Sequence, residues 1–211
     1  MKRVVLSLLL TSGLFAGEFD NAMQAYKNGS FIEALNGFYI LAKNGDAKAQ
    51  YNVGLMFAQG KGAKADVKKA MEWYEQAAKQ GLASAQYNLA QIYHNLGSAE
   101  DHAYEKAKYW YEKAAQQGIA QAHNNLGALY LEGKGVAKDE KKAFEHFKAA
   151  AELGDANAQL NVALLYLNGT GTTVDKMKAY EHFKKALENG KTQAQTYLDT
   201  LCKESSWVCQ Q

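Results

Sequence analysis

The stretch Ala83-Ser-Ala-Gln-Tyr-Asn-Leu-Ala-Gln-Ile-Tyr93 is one copy of a pattern that occurs five times in this chain of 211 residues. Each copy follows a glycine, and the glycines are 36, 37, 36 and 36 residues apart: Gly45, Gly81, Gly118, Gly154 and Gly190. A period of this length is typical of solenoids, in which each unit buries its apolar face against its neighbours. Because stacked units present an extended concave surface, the repeat favours protein binding over catalysis.

Each period carries the pattern of two helices. In the quoted copy, Leu89, Ala90 and Tyr93 form one apolar stripe at helical spacing. A second helix follows a loop, and in three copies it begins after an aspartate suited to bind the first amide groups: Asp66, Asp139 and Asp175. The repeat glycine suits the left-handed position that ends this helix. Strand patterns and proline are both missing from the sequence, so we predict an all-α protein.

One period resembles a known repeat family through motifs at fixed spacing: Ala47-x-Ala-Gln-Tyr-Asn-Val-Gly54, Gly60-Lys-Gly62, Asp66-x-x-Lys-Ala70, Trp73-Tyr74 and Gly81. This pattern closely resembles the Sel1-like repeat, a relative of the tetratricopeptide repeat with a longer loop between its helices. The resemblance implies a right-handed α–α superhelix with four Sel1-like repeats over residues 46–190. Residues 17–45 resemble a tetratricopeptide-like opening helix pair. The loop at residues 95–102 departs from the family, with one extra residue and a single glycine, and is expected to be irregular.

The first 16 residues have the pattern of a secretory signal peptide. Lys2 and Arg3 precede an apolar run from Val4 to Leu10, and the segment Ser12-Gly-Leu-Phe-Ala16 leads to a cleavage point near Ala16 or Gly17. The run is too short to span a membrane, so we expect a periplasmic or secreted protein without a membrane span. An N-terminal helix of a cytosolic protein is the alternative. Cleavage would leave 22 basic and 22 acidic residues and no arginine, which argues against nucleic-acid binding and leaves a protein or peptide as the expected partner.

Both cysteines lie in the last segment, residues 191–211, which we expect to form a terminal capping helix with a disulfide-tied tail. Cys202 and Cys209 are suited to a disulfide in an exported chain. Seven helical residues rise roughly 10 Å, too far for this bond, so the helix has to end between the cysteines. We expect Cys202 to face the core and Trp207 to lie over the open end of the stack. Free thiols or a two-cysteine metal site remain alternatives.

The chain shows no catalytic pattern. It resembles the exported helicobacter cysteine-rich proteins in its repeat layout, and that resemblance implies a weak β-lactamase or penicillin-binding alternative. The cysteine pairs of that family are missing here, as are Ser-x-x-Lys, Ser-Asp-Asn and Lys-Thr-Gly. His146 and His182 occupy a slot that holds Trp73 and Trp110 in earlier repeats, which indicates ring packing. We therefore predict no enzyme, no cofactor and no metal site.

The resemblance places a partner on the concave face formed by the first helices. The side chains expected to line this face are Lys48, Tyr51, Leu55, Tyr87, Gln91, His94, Asn124, Leu131, Leu160 and Leu164. Their mixed character suits an extended or helical peptide. Tyr51 and Tyr87 are equally suited to pack against the adjacent repeat. The serial asparagines, such as Asn88 and Asn161, either contact a ligand or hydrogen-bond within the repeats, and we favour the second role.

Overall fold

The computed structural model describes residues 17–100 and 102–209, so the predicted signal peptide lies outside the described residues. Within them the chain is all-helical and contains no strand, as the sequence predicts. The helices are α1 (residues 17–27), α2 (Phe31–Lys43), α3 (Ala47–Gln59), α4 (Val67–Lys79), α5 (Ala83–Leu96), α6 (Ala103–Ala115), α7 (Ala120–Glu132), α8 (Glu140–Glu152), α9 (Ala156–Asn168), α10 (Lys176–Glu188) and α11 (Ala194–Glu204). We call α3, α5, α7 and α9 the first helices, and α4, α6, α8 and α10 the second helices.

Aspartates begin the helices as the sequence predicts. Asp66, Asp139 and Asp175 each accept a hydrogen bond of 3.0 Å from the amide three residues later. Two further caps were not predicted from the sequence: Asp46 begins α3 and Asp155 begins α9 in the same way, at 2.7 and 2.8 Å. Each such cap contributes about 1 kcal/mol to helix stability.

Glycines end the second helices and shape the loops. The repeat glycines adopt the predicted left-handed conformation, with φ of +89° at Gly81. The loop glycine Gly135, at φ +65°, has a second constraint, because a Cβ atom there would lie 2.6 Å from the carbonyl carbon of Tyr104. This loop therefore packs on the first turn of the second helix in the preceding repeat. The loop after α5 is irregular, as predicted, with a 3₁₀ turn at Gly97–Ala99 and a left-handed His102.

The chain divides into two compact units, and the boundary falls within α5, after Leu89. In the first unit, Gly54 of α3 lies so close to α4 that a Cβ atom would be 2.8 Å from the Tyr74 ring. In the second unit, a Cβ atom on Gly127 of α7 would likewise lie 2.8 Å from the Phe147 ring of α8. Small residues in this slot thus allow close helix packing, as the repeat pattern indicates.

The C-terminal segment differs in part from the prediction. Helix α11 ends at Glu204, and a short 3₁₀ helix, Ser206–Cys209, returns the chain so that Cys209 joins Cys202 with their Cα atoms 5.7 Å apart. Trp207, expected over the open end, is 57% exposed, and Val208 is fully buried in its place. Cys202, expected in the core, is partly exposed. The turn after Ser205 rotates Val208 inward.

None of the helices within residues 17–100 and 102–209 combines the length and the apolar character needed to cross a bilayer.

Candidate partner-binding surfaces

In the first unit, the predicted face residues are exposed or partly exposed, and one of them also joins two repeats. Lys48 is exposed, whereas Tyr51, Leu55 and Tyr87 are partly exposed. The Asn88 side chain donates a hydrogen bond of 3.4 Å to the Tyr51 hydroxyl, and the Tyr51 ring lies 5.7 Å from that of Tyr74. Burial raises the pKa of Tyr74 to about 12. Tyr51 is therefore fixed by packing while part of its ring remains accessible.

The second unit repeats this contact with different side chains. The Asn161 amide donates to the side-chain oxygen of Asn124 at 3.0 Å, and the two residues are 37 positions apart, as are Asn88 and Tyr51. These contacts support the structural role for the serial asparagines. Their partners could not be predicted from the sequence, because residues of neighbouring first helices meet only when the repeats pack.

A cavity of about 390 Å³ brings two predicted face residues of the second unit together. Leu131 of α7 and Leu164 of α9 line it, with Asn161 beside them and Asn168 and Thr170 at the end of α9. Both leucines are partly exposed. Lys138 and Glu140, before and at the start of α8, complete the rim. The cavity therefore offers an apolar floor next to amide, hydroxyl and charged groups, a mixture that suits a peptide segment.

The other predicted residues of the second unit occupy different environments. Gln91, Asn124 and His94 are partly exposed, whereas Leu160 is only 6% exposed and offers little surface to a partner. The Nδ1 atom of His94 is buried and has no hydrogen-bond partner among the described residues. Its ring lies against Tyr104 and Tyr111, at 5.7 and 6.1 Å between centroids. Burial, and secondarily the charge of Lys134, lower the pKa of His94.

A larger cavity in the first unit was not anticipated. It measures about 850 Å³ and lies between the α1–α2 turn and the loop after α3, where Phe31, Ile32 and Gly62 contribute to its wall. Ile32 and Ile40 are 69% and 60% exposed. The corresponding positions of α4 hold Lys68 and Gln76, so a comparison of equivalent slots would have revealed these unusual isoleucines.

The second-helix histidines pack as rings, as predicted. His146 stacks on Tyr130 with 5.5 Å between centroids, and His182 stacks on Tyr166 at 5.8 Å. The structure adds a contact that the sequence analysis missed: the Nδ1 atoms of His146 and His123 lie 3.2 Å apart. Within the described part of the chain, no group of three or more His, Cys, Asp or Glu side chains is arranged to hold a metal ion.

Solved structures share this fold over most of the chain. A protective antigen of uropathogenic Escherichia coli strains, described as displaying an SLR fold, gives a TM-score of 0.84 at 28% identity and covers 92% of this chain and 42% of that one. A Sel1 repeat protein from Oxalobacter formigenes gives 0.79 at 30% identity, with 89% of this chain and 74% of that one covered. These likenesses confirm the predicted fold class, an all-α, right-handed α–α superhelix.

Sequence comparison agrees with the structural likeness. A Sel1-like repeat-containing protein of Acanthamoeba polyphaga mimivirus is 44% identical over 59 residues, which are 28% of this chain and 11% of that protein. The chain thus matches only about a tenth of the length of this relative. The sequence model of the Sel1 repeat family matches four consecutive segments, residues 47–82, 83–119, 120–155 and 156–191. Four Sel1 repeats therefore make up most of the chain, and the protein belongs to the Sel1 repeat family.

Proposed function

We propose that this protein is an exported, non-enzymatic scaffold that binds a protein or peptide on the face formed by its first helices. The observation that carries the proposal is the cavity in the second unit, where Leu131 and Leu164 lie beside the Asn161 amide. An extended segment of the partner would place an aliphatic side chain between the leucines, while the amide and hydroxyl groups at the rim bind its backbone. Sel1 repeats commonly serve as protein-interaction modules, which agrees with this role.

Export is supported by the ends of the chain. Residues 1–16 have the composition of a signal peptide, and the paired Cys202 and Cys209 suit an oxidising compartment. The expected mature protein begins near residue 17, is recovered from the periplasm or the medium, and carries no free thiol when it is denatured without reductant. A full-length protein in the cytosol with two free thiols would contradict export.

Site-specific photo-crosslinking in intact cells tests the binding face. A photoreactive residue at Leu164 is expected to capture a discrete partner that mass spectrometry identifies. The matched control carries the same residue at Lys148, which is exposed on the second helix α8. Capture of the same partner at equal yield from both positions, or from neither, would contradict a binding face at Leu164.

A second measurement separates binding from folding. Once a partner is identified, Leu131→Asp is expected to weaken its binding at least tenfold while far-ultraviolet circular dichroism remains unchanged, because Leu131 is only partly buried. Unchanged affinity in this folded variant would exclude the cavity as the docking site. The weak β-lactam-active enzyme is not proposed, because no observation within the described residues favours it.

A further inference from the structure

One repeat differs from the others in a contact that joins adjacent helices. Three repeats place a glutamine near the start of the first helix, and its amide donates to a carbonyl oxygen eight residues earlier: Gln50 to Ala42, Gln86 to Ala78 and Gln159 to Ala151, at 3.2, 3.1 and 2.6 Å. In the remaining repeat His123 occupies this position and makes the equivalent hydrogen bond with the backbone of Ala115. The histidine therefore fulfils the structural role of the glutamine.

This hydrogen bond fixes the orientation of the His123 ring. Since Nδ1 faces His146, we assign the bond to the Ala115 carbonyl to Nε2, which then carries the hydrogen. The Nδ1 atom of His123 is then left with a lone pair that points towards His146. Histidines that bind metals commonly donate their other ring N–H to a backbone carbonyl in this way, because that bond sets the tautomer and the ring orientation.

The ring of His146 is also held in a fixed orientation. His146 stacks on Tyr130 at an interplanar angle of 10°, and its Nδ1 lies 3.2 Å from Nδ1 of His123. In the neutral pair the His146 N–H donates to His123. Two nitrogen ligands at about 2.0–2.1 Å from a tetrahedral ion are separated by roughly 3.3 Å, so the observed distance already suits a shared ion.

We propose that His123 and His146 form a two-ligand site for a divalent transition-metal ion that prefers imidazole, such as Cu²⁺, Ni²⁺ or Zn²⁺. Both rings turn slightly so that the two lone pairs converge on the ion. His146 then moves its hydrogen from Nδ1 to Nε2, and no net proton is released. Water completes the coordination, so the ion binds at an open, exchangeable position.

The charges around the pair are compatible with a bound cation. Glu112 of α6 and Glu145 of α8 favour positive charge at His146, whereas Lys108 opposes it and is itself paired with Glu112 at 2.6 Å. Burial lowers the pKa of both rings, and the neighbouring His123 lowers that of His146 further. Both imidazoles are consequently neutral at pH 7, which is the form that binds a metal.

The repeat supplies its own test variants. His123→Gln restores the glutamine of the other repeats and keeps the hydrogen bond to the backbone, while His146→Phe keeps a stacking ring. His182→Phe is the matched control, because His182 stands in the slot of His146 but contacts Gln159 at 2.7 Å. Each variant is prepared from the full mature chain without an affinity tag, and circular dichroism checks that the helices remain formed.

Titration with CuCl₂, followed by calorimetry and electron paramagnetic resonance, measures the site. The unmodified protein and His182→Phe are expected to bind one Cu²⁺ per chain with hyperfine coupling from two imidazole nitrogens. His123→Gln and His146→Phe are each expected to bind at least about tenfold more weakly. Zn²⁺ should compete for the same site. Equal affinity in the unmodified protein and either of these two variants would overturn the proposal, as would the lack of a 1:1 complex.

Discussion

The Asn161 side chain donates a hydrogen bond of 3.0 Å to Asn124, and thereby joins the first helices of two successive repeats within the second unit. From the sequence alone, the serial asparagines had two possible roles: they contact a ligand, or they form hydrogen bonds within the repeats. The contact explains why an amide is suited to this slot. The amide donates a hydrogen bond to the preceding repeat, where the accepting side chain is Asn124 in one case and Tyr51 in another.

Loss of the Asn161 amide is expected to destabilise the second unit. Asn161→Ala removes a partly buried hydrogen bond and should lower the free energy of unfolding by about 1 kcal/mol, measured by urea denaturation. The control is Asn52→Ala, since the partly exposed Asn52 amide donates to the Lys48 carbonyl of its own helix. Equal effects of the two substitutions would show that the hydrogen bond between repeats adds no more stability than one within a helix.

The repeat glycine Gly154 and the loop glycine Gly135 are expected to differ in their tolerance of a side chain. Gly154→Ala meets no atom within 4 Å and costs only the strain of a left-handed alanine, about 1–2 kcal/mol. Gly135→Ala adds the clash with the Tyr104 backbone, which should cost about 1–3 kcal/mol more. Thermal and urea denaturation should therefore show that Gly135→Ala is less stable than Gly154→Ala. A Gly135→Ala variant as stable as Gly154→Ala would mean that the loop does not pack on α6.

The tail offers a direct test of the corrected C-terminal cap. Val208→Ala removes a fully buried side chain and should cost about 2 kcal/mol of stability. Trp207→Ala, at a residue that is 57% exposed, should change the free energy of unfolding by less than about 0.5 kcal/mol. The opposite order would restore the original expectation that Trp207 covers the end of the stack.

Local chemistry explains which features were predictable. The caps at Asp66 and the glycine stop at Gly81 follow from a residue and its immediate neighbours, so the sequence alone identified them. The pairing of His123 with His146 spans 23 residues and two helices, and the helical spacing rules used for ligands compare only residues three or four apart. Trp207 was misplaced because its direction depends on the turn after Ser205, whose geometry the sequence does not specify.

The exposure of the predicted partner-binding residues was also beyond what the sequence of a single repeat could predict. The family resemblance placed both Leu160 and Leu164 of the first helix α9 on the concave face, and it could not tell which of the two the neighbouring repeat covers. The structure buries Leu160 and leaves Leu164 partly exposed. Burial within a solenoid depends on the rotation between adjacent repeats, a quantity that a single repeat does not contain.

His94 should make the protein less stable as the pH decreases through about 6.5, the ordinary pKa of histidine. Its pKa in the folded protein lies below the ordinary 6.5, because burial and Lys134 disfavour the charged ring, against a weaker opposing effect of Glu132. Between the lowered pKa of the folded protein and 6.5 the unfolded chain therefore binds more protons, and the free energy of unfolding falls as the pH decreases. Above that range the neutral ring carries no such penalty.

The slot of His94 supplies the decisive variant, because equivalent positions hold Leu131 and Leu167. His94→Leu removes the ring that lies against Tyr104 and Tyr111, together with an Nδ1 atom that has no hydrogen-bond partner among the described residues. The decline in stability towards low pH should therefore become shallower. The remaining slope comes from His123, His146 and His182, whose pKa values burial also lowers. Urea denaturation at several pH values measures the slope, with His102→Gln, at an exposed position, as the control. An identical slope in His94→Leu and the unmodified protein would show that the buried ring does not resist protonation.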